Sequence, residues 1–210
     1  MAGVKTVGVL AVQGAFIEHS RRLEELGVRA VELRQGADVA DGLDGLVLPG
    51  GESTVQSKLL RELGMFDPLR AQLEDGMPVF GTCAGLILLA QHVANGPVAG
   101  VEAAAETTSR VEVHGFATMP VSVVRNAYGR QLGSFHITDG VLHDGERRTE
   151  IPMTFIRAPH LAELGDGVDV LASLPNGTPV AARYRNQIGA TFHPELDEDL
   201  SIYRLFAQML

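Results

Sequence analysis

The chain has 210 residues, 45% of them hydrophobic, which is enough to bury the core of one domain, so we expect residues 1–210 to form a single domain. Its net charge of −9 opposes the phosphate neutralisation on which nucleic-acid binding depends, and we therefore expect no DNA or RNA partner. One cysteine excludes an internal disulfide and no run approaches about 18 apolar residues, a combination that predicts a soluble cytoplasmic protein without a membrane span.

The N-terminal half alternates between strand-like and helix-like segments. Residues 4–12 are mostly apolar and β-branched, and Gln13-Gly14 breaks this run before the first helical segment. In chain order, the predicted strands are residues 4–12, 28–33, 43–48 and 78–81, and the predicted helices are residues 15–26, a segment from about Ser53, 66–74 and 84–94. Strands that alternate with helices predict a parallel, doubly wound α/β sheet.

The pattern changes after about residue 96, where short apolar runs lie between turn signals and predict added antiparallel strands. The predicted strands are residues 119–124, 153–156, 168–174, 178–184 and 187–192, the last two forming a hairpin around Arg185-Asn186. An amphipathic helix over residues 199–210 closes the chain. The polar stretch 102–115 is predicted to be a mobile loop.

Cys83 lies where the fourth predicted strand passes into a helix, within Gly81-Thr82-Cys83-Ala84-Gly85. This segment matches the G-x-nucleophile-x-G motif, with cysteine in place of serine. The glycines permit a tight turn that would hold an exposed thiol above the sheet, and the following helix N-terminus favours a thiolate and a developing oxyanion. A buried cysteine that packs as a small hydrophobe is the alternative, but the flanking glycines favour a nucleophile.

A cysteine nucleophile needs an imidazole partner and a carboxylate that orients the imidazole. His193 and Glu195 lie two residues apart after a predicted strand, so both side chains point to one side of an extended segment. The alternative for this segment is a capped turn before the last helix. The presence of the cysteine motif favours a Cys83–His193–Glu195 triad.

The loop at residues 49–53 follows the third predicted strand, at the edge where open α/β sheets bind their ligands. Its backbone amides are candidates for substrate contact. The alternative is an ordinary turn in which Ser53 caps the next helix. The chain lacks a G-x-x-x-x-G-K-[ST] sequence, so a nucleotide site is not predicted.

Three motifs in this order resemble the class I (triad) glutamine amidotransferases: LPGGES at 48–53, FGTCAG at 80–85 and FHPE at 192–195. Three further segments resemble the glutaminase subunits of pyridoxal 5'-phosphate synthase, the PdxT/SNO family: VQGA at 12–15, VRNAYGRQ at 124–131 and FIRAPH at 155–160. The resemblance spans nearly the whole chain. It implies a single glutaminase domain of three-layer α/β/α architecture, with a doubly wound, mostly parallel sheet and added antiparallel strands.

The resemblance also implies functional residues. Cys83, His193 and Glu195 match the family's catalytic triad. The L-glutamine-binding positions are Gly51, Glu52, Ser53, Arg125, Ile156 and Arg157. The backbone amides of Gly51 and Ala84 are the candidates for the oxyanion hole, and Arg125 or Arg157 is suited to pair with the substrate α-carboxylate. His19 and His160 receive no catalytic role, since a hydrogen-bonded structural histidine is the simpler interpretation of each.

The implied activity is hydrolysis of L-glutamine to L-glutamate and ammonia, with the ammonia passed to a pyridoxal 5'-phosphate synthase subunit in a large hetero-oligomer for vitamin B6 biosynthesis. No cofactor is expected, and the histidines lack metal-ligand spacing, so no metal is expected either. Two alternatives stay open. The chain is a glutaminase subunit that serves a different synthase, or a non-catalytic interaction subunit that keeps only the fold.

Overall fold

The computed structural model describes residues 3–39, 42–96, 113–125 and 134–210. Most of the predicted loop at 102–115, and residues 126–131 of the VRNAYGRQ motif, lie outside these ranges. Among the helices within the described ranges, none is long and apolar enough to cross a membrane.

Strands and helices alternate along the N-terminal half, and strands predominate in the C-terminal half. In chain order, the elements are β1 Thr6–Leu10, α1 Phe16–Glu25, β2 Arg29–Leu33, β3 Gly45–Leu48, α2 Ser53–Glu62, α3 Phe66–Glu74, β4 Val79–Thr82, α4 Ala84–Leu89, β5 Ala90–Asn95, β6 Met119–Arg125, β7 Ser134–Asp144, β8 Arg147–Ile156, β9 His160–Leu164, β10 Asp169–Ser173, β11 Pro179–Tyr184, β12 Gln187–Ala190 and α5 Ser201–Ala207. Short 3₁₀ helices lie at Gly36–Asp38 and Pro194–Leu196.

The main sheet within the described ranges has nine strands in the order β2-β1-β3-β4-β12-β11-β10-β7-β8. The first five strands in this order are parallel, as the alternating pattern predicts. The pairs from β12 to β8 are antiparallel, which agrees with the strands predicted to be added after residue 96. Because β1, β3, β4 and β12 are parallel, their carboxyl ends lie at one edge of the sheet, and the loops that follow them meet there.

Two hydrophobic cores lie on opposite faces of this sheet, because successive side chains of a strand point to opposite faces. In β1, Val7 and Val9 belong to one core, together with Leu23 of α1 and Tyr203 of α5. Leu10 of the same strand belongs to the other core, together with residues of α2, α3 and α4. Helices therefore cover both faces, and the predicted three-layer α/β/α class is confirmed.

One predicted helix is wrong in its second half. The helix predicted over residues 84–94 ends at Leu89, and Ala90–Asn95 forms β5 instead. β5 pairs in parallel with β6, and β6 pairs antiparallel with β9, in a separate three-stranded sheet. This pairing between distant segments overrides the helix propensity of the local sequence, and local composition does not reveal the partner strands.

β7 and β9 are further strands that the sequence patterns did not predict. β7 and β8 form a hairpin, and their turn is Gly145-Glu146, where Gly145 has a φ of 60°. The Asp-Gly pair at residues 144–145 is a turn signal between two strands that could have revealed this hairpin.

Candidate active site

The candidate catalytic residues lie on loops that leave the carboxyl ends of parallel strands. β3 leads into the loop at 49–52, β4 leads directly into Cys83, and β12 is followed by His193 and then by the 3₁₀ helix that contains Glu195. Since β3, β4 and β12 are adjacent in the sheet, segments far apart in the sequence meet at one edge.

Cys83 occupies a strained turn between β4 and α4. Its φ of 48° and ψ of −98° lie outside the regions that non-glycine residues commonly adopt. The flanking glycines are needed because the backbone packs too closely there for a side chain. A Cβ atom on Gly81 would lie 2.7 Å from the carbonyl carbon of Gly85, and one on Gly85 would overlap the carbonyl oxygen of Leu48. Cys83 is a buried residue, only 7% exposed, so the sequence-based expectation of an exposed thiol was wrong.

The backbone around Cys83 leaves one amide available for an oxyanion. The N–H of Cys83 donates to the carbonyl oxygen of Ala190 at 2.8 Å and is therefore occupied. Ala84 is the first residue of α4, and an N–H at this position has no partner within its own helix. The Ala84 amide is accordingly suited to bind a negatively charged oxygen at the thiol.

His193 and Glu195 form a buried hydrogen-bonded pair. Nδ1 of His193 lies 2.7 Å from Oε1 of Glu195, and the two residues are 7% and 2% exposed. The backbone N–H of His193 donates to the carbonyl oxygen of Thr154 in β8 at 2.8 Å, which anchors the segment. Nε2, on the other side of the ring, has no hydrogen-bond partner within the described residues. Hydrogen bonds between catalytic groups often tighten only when substrate binds.

The surroundings of His193 favour its protonated form. Burial alone would lower its pKa, but the side chains of Cys83 and Glu195 outweigh burial and raise the pKa of His193 to about 10. For Glu195, burial alone would raise the pKa, whereas His19 and His193 lower it. A charged imidazolium next to the sulfur stabilises negative charge there, which is the electrostatic condition for a cysteine nucleophile.

This electrostatic coupling predicts a measurable titration. Followed by NMR of the ring, His193 should titrate near pH 10 in the wild-type chain, and Glu195→Gln should lower the midpoint because it removes a negative charge. The raised pKa also has a consequence for folding. Protonated His193 stabilises the folded state fully below its unfolded pKa of about 6.5, and this stabilisation is lost as pH rises through the folded pKa. An unchanged midpoint in Glu195→Gln would contradict the coupling.

A cavity of about 300 Å³ lies beside the thiol and brings together residues from distant parts of the chain. The predicted residues that line it are Cys83, His193, Glu195, Gly51, Glu52, Ser53, Arg125, Ile156 and Arg157. Ala84 does not line the cavity, which is compatible with a role for its backbone amide alone. Arg157 adopts a φ of 45°, a second strained backbone position in the cavity wall.

Arg125 and Glu52, both predicted to bind glutamine, form an ion pair at the cavity. Nη2 of Arg125 lies 2.9 Å from Oε1 of Glu52, and the other oxygen of Glu52 accepts a hydrogen bond from the N–H of Val55 at 3.0 Å. Glu52 therefore caps α2, and the alternative in which Ser53 is the cap was wrong. Ser53 Oγ is buried without a hydrogen-bond partner among the described residues, so this hydroxyl is available to a ligand.

The Gly50-Gly51 loop packs directly against the imidazole. A Cβ atom on Gly50 would overlap the ring of His193, so only glycine permits this approach. The carbonyl oxygen of Gly50 accepts a hydrogen bond from the N–H of Ala15 at 3.3 Å. Because C=O and N–H are antiparallel in a trans peptide, the N–H of Gly51 points away from Ala15.

Two glutamines that hold this loop were not predicted as site residues. Gln13 Oε1 accepts from the N–H of Glu52 at 2.7 Å. Gln56 Nε2 donates to the backbone oxygens of Gln13 and Pro49 at 3.0 and 3.2 Å. Gln13 lies in the VQGA segment, which contributes to the family resemblance, and this segment could have identified Gln13 as a site residue. Gln56 has no comparable signal, because its contact depends on how α2 packs.

Comparison with known proteins yields a close set of relatives. The proteins named pyridoxal 5'-phosphate synthase subunit PdxT from Desulfitobacterium hafniense (strain Y51) and Corynebacterium jeikeium (strain K411) are 52% and 47% identical to this chain. The first alignment covers 95% of this chain and 90% of the relative, and the second covers 97% and 96%.

Solved structures agree with this relationship. A crystal structure described as a glutamine amidotransferase has a TM-score of 0.81 and 39% sequence identity, and the match covers 99% of this chain and 98% of that one. PurLQS from Thermotoga maritima, at 12% identity and a TM-score of 0.65 over 99% of both chains, shares the fold. The family described as SNO glutamine amidotransferase matches residues 9–210. These matches confirm the resemblance carried by the motifs, and the chain belongs to the SNO glutamine amidotransferase family.

Proposed function

We propose that this chain, as one glutaminase domain, hydrolyses L-glutamine to L-glutamate and ammonia through Cys83, His193 and Glu195. The ammonia passes to the synthase subunit of pyridoxal 5'-phosphate synthase for vitamin B6 biosynthesis. The observation that carries this proposal is the buried His193–Glu195 pair beside the Cys83 thiol, at the wall of a cavity of about 300 Å³. Relatives that are 47–52% identical are named as subunits of that synthase, which supports the choice of partner.

The proposed reaction has two steps. In the first, the Cys83 thiolate attacks the carboxamide carbon, and the imidazolium of His193 donates its Nε2 proton to the departing ammonia, which leaves a glutamyl thioester. In the second, the now neutral imidazole takes a proton from water, the resulting hydroxide attacks the thioester, and glutamate and the thiolate–imidazolium pair are released. Glu195 holds the ring orientation through Nδ1 in both steps.

The tetrahedral intermediates of both steps carry a negative oxygen that needs fixed donors. The N–H groups of Ala84 and Gly51 are our candidates, because one begins a helix beside the thiol and the other lies in the loop that packs on His193. A helix N-terminus adds a partial positive charge at the same place.

The substrate is a zwitterion, and the cavity wall offers one group of each sign. Arg125 supplies a guanidinium for the α-carboxylate, and Glu52 supplies a carboxylate for the α-ammonium. Bound glutamine would break the ion pair between Arg125 and Glu52 and would form one ion pair with each of the two side chains. Ser53 Oγ and the strained Ile156-Arg157 segment complete the binding site in this proposal.

Arg125→Gln is expected to raise KM for glutamine about 10- to 100-fold with a smaller effect on kcat, because the side chain contacts the substrate α-carboxylate rather than the reacting amide. Arg125→Lys keeps the charge but loses the bidentate geometry, so its KM should lie between those of Arg125→Gln and the wild type. Steady-state kinetics of glutamate formation measure both values. A fall in kcat at unchanged KM would contradict the assigned role.

The complete proposal is tested with the full chain and its cognate synthase subunit. Glutamine carrying ¹⁵N in its amide is supplied together with the synthase substrates, and mass spectrometry follows the label. Label in pyridoxal 5'-phosphate and a rise in glutaminase rate on adding the synthase support the proposal. Glutamine hydrolysis that is indifferent to this synthase would favour a glutaminase for another enzyme, and absence of hydrolysis in the complex would favour an interaction subunit.

The assembly and location of the complex are also part of the proposal. We propose a large hetero-oligomer with the synthase subunit, which size measurement of the mixed subunits would test. We also propose a cytoplasmic location, because a catalytic thiol must remain reduced.

A further inference from the structure

His19 is a fully buried histidine beside the triad that the proposed mechanism does not use. It lies in α1, is 0% exposed, and contacts polar groups from three other segments. Nε2 lies 3.1 Å from Oγ1 of Thr82 and 3.4 Å from Oε2 of Glu195. Nδ1 lies 2.7 Å from the hydroxyl oxygen of Tyr203, which is itself fully buried. His19 therefore contacts the triad carboxylate and the residue that immediately precedes the nucleophile.

The partners of His19 determine which nitrogen carries the proton. Burial lowers the pKa of His19, so the ring is neutral near pH 7 and has one donor and one acceptor. The carboxylate of Glu195 is only an acceptor, so the nitrogen facing it must be the donor. With the proton on Nε2, the N–H is shared between Oγ1 of Thr82 at 3.1 Å and the longer contact with Oε2 of Glu195 at 3.4 Å, and Nδ1 accepts the hydroxyl proton of Tyr203.

Glu195 needs such a partner because only one of its side-chain oxygens is otherwise held. Oε1 bonds to His193, whereas buried Oε2 has no hydrogen-bond partner within the described residues apart from this longer polar contact with His19. The terminal torsion of a glutamate side chain is broad, so one hydrogen bond leaves the carboxylate free to rotate. A donor on the second oxygen restricts this rotation.

We infer that His19 is a positioning residue for glutamine hydrolysis: its Nε2–H, directed by the Tyr203 hydroxyl, holds the Glu195 carboxylate so that Oε1 stays on His193. The inference deepens the proposed function and rests on it. A neutral donor suits this role, because a positive charge on His19 would compete with His193 for the carboxylate.

Several charged or titratable groups surround this cluster and bear on its pH dependence. They are Glu195 and His193 of the triad, Cys83 beside His193, Glu18 on α1 itself, Tyr203 on α5, and Arg22 and Glu25 of α1, which act on the Tyr203 hydroxyl. Burial and Glu195 raise the pKa of Tyr203 well above its usual value, so its hydroxyl keeps its proton for Nδ1.

The test compares His19→Leu, His19→Gln and Tyr203→Phe in the full chain with its synthase subunit. Leucine removes the donor, glutamine restores a neutral N–H, and phenylalanine removes only the hydroxyl while keeping the ring that packs edge-on against Phe80. We expect kcat in His19→Leu to fall on the order of 10-fold at unchanged KM, as for other outer partners of functional histidines. The His193 titration midpoint should fall by about one pH unit. Tyr203→Phe should also lower kcat and the His193 midpoint, but by less. The kcat and midpoint of His19→Gln should be closer to the wild-type values than those of His19→Leu.

His143→Leu is the matched control, because it also removes a histidine that contacts a hydroxyl. His143 lies in β7 and is part-buried, and its Nε2 lies 2.9 Å from Oγ of Ser173 in β10. Its kcat and its His193 midpoint should equal those of the wild type. If folded His19→Leu and Tyr203→Phe keep the wild-type midpoint and kcat, or if His19→Gln is as impaired as His19→Leu, the inference is overturned. If His19→Leu does not fold, the kcat and the His193 midpoint of Tyr203→Phe test the inference instead. Activity that survives Cys83→Ala would instead overturn the proposed function itself.

Discussion

Replacing Cys83 with alanine is expected to lower kcat for glutamine hydrolysis by at least about 10⁴-fold, because the Cys83 thiolate forms the covalent intermediate in the proposed reaction. Cys83 is the only cysteine of the chain, so no second thiol can substitute. Glutamine affinity should change little, since the proposed binding groups, such as Arg125 and Glu52, remain. Glutamate formation measures the first expectation, and calorimetric titration of glutamine into the variant complex measures the second.

The single thiol also makes chemical labelling unambiguous. A glutamine-analogue electrophile should add one label to the wild-type chain, at Cys83, and none to the alanine variant. Cys83→Ser is the matched control, because it keeps the side-chain size at this strained backbone position but replaces the sulfur with a weaker nucleophile. A Cys83→Ala protein that still hydrolyses glutamine would show that the reaction takes another route.

His193→Ala is expected to reduce kcat on the order of 10³-fold or more, because in the proposed reaction His193 is both the acid that protonates ammonia and the base that activates water. The rate at which the electrophile alkylates Cys83 should fall as well, since the imidazolium that stabilises the thiolate is lost. KM should change less than kcat. Steady-state kinetics and timed mass spectrometry measure these effects.

The control for His193→Ala needs to separate catalysis from folding. The backbone N–H of residue 193 can still donate to the carbonyl oxygen of Thr154, so the segment remains anchored in the variant. His143→Ala removes a histidine from β7 in a different part of the sheet and should leave kcat unchanged. Equal losses in the two variants, or normal alkylation of Cys83 in His193→Ala, would argue against the assigned role.

Local sequence patterns predicted the parallel half of the fold well. The helix at Phe66–Glu74 was predicted with its observed bounds, and β1, β2 and β3 were predicted to within a few residues. These elements have clear apolar patterns, and a glycine or proline follows each of them within a few residues, so local information suffices. β5 and β9 were missed because their stability comes from pairing with β6, a contact between distant segments that leaves no local signal.

The candidate site likewise has features that the local sequence predicted and features that depend on tertiary contacts. Two short-range patterns in the amino-acid sequence predict the catalytic residues: Cys83 between glycines, and His193 two residues before Glu195. The family motifs predict the arginine and loop residues. The burial of the thiol, the Arg125–Glu52 ion pair and the contact of His19 with Glu195 depend on the packing of separate elements. His19 and Tyr203 are 184 residues apart along the chain, and only the packing of α1 and α5 on one face of the sheet brings their side chains to 2.7 Å. Hydrogen bonds act over a few ångströms of space, so the sequence could predict the candidate reactive groups, whereas only the tertiary structure shows which neighbouring residues contact them.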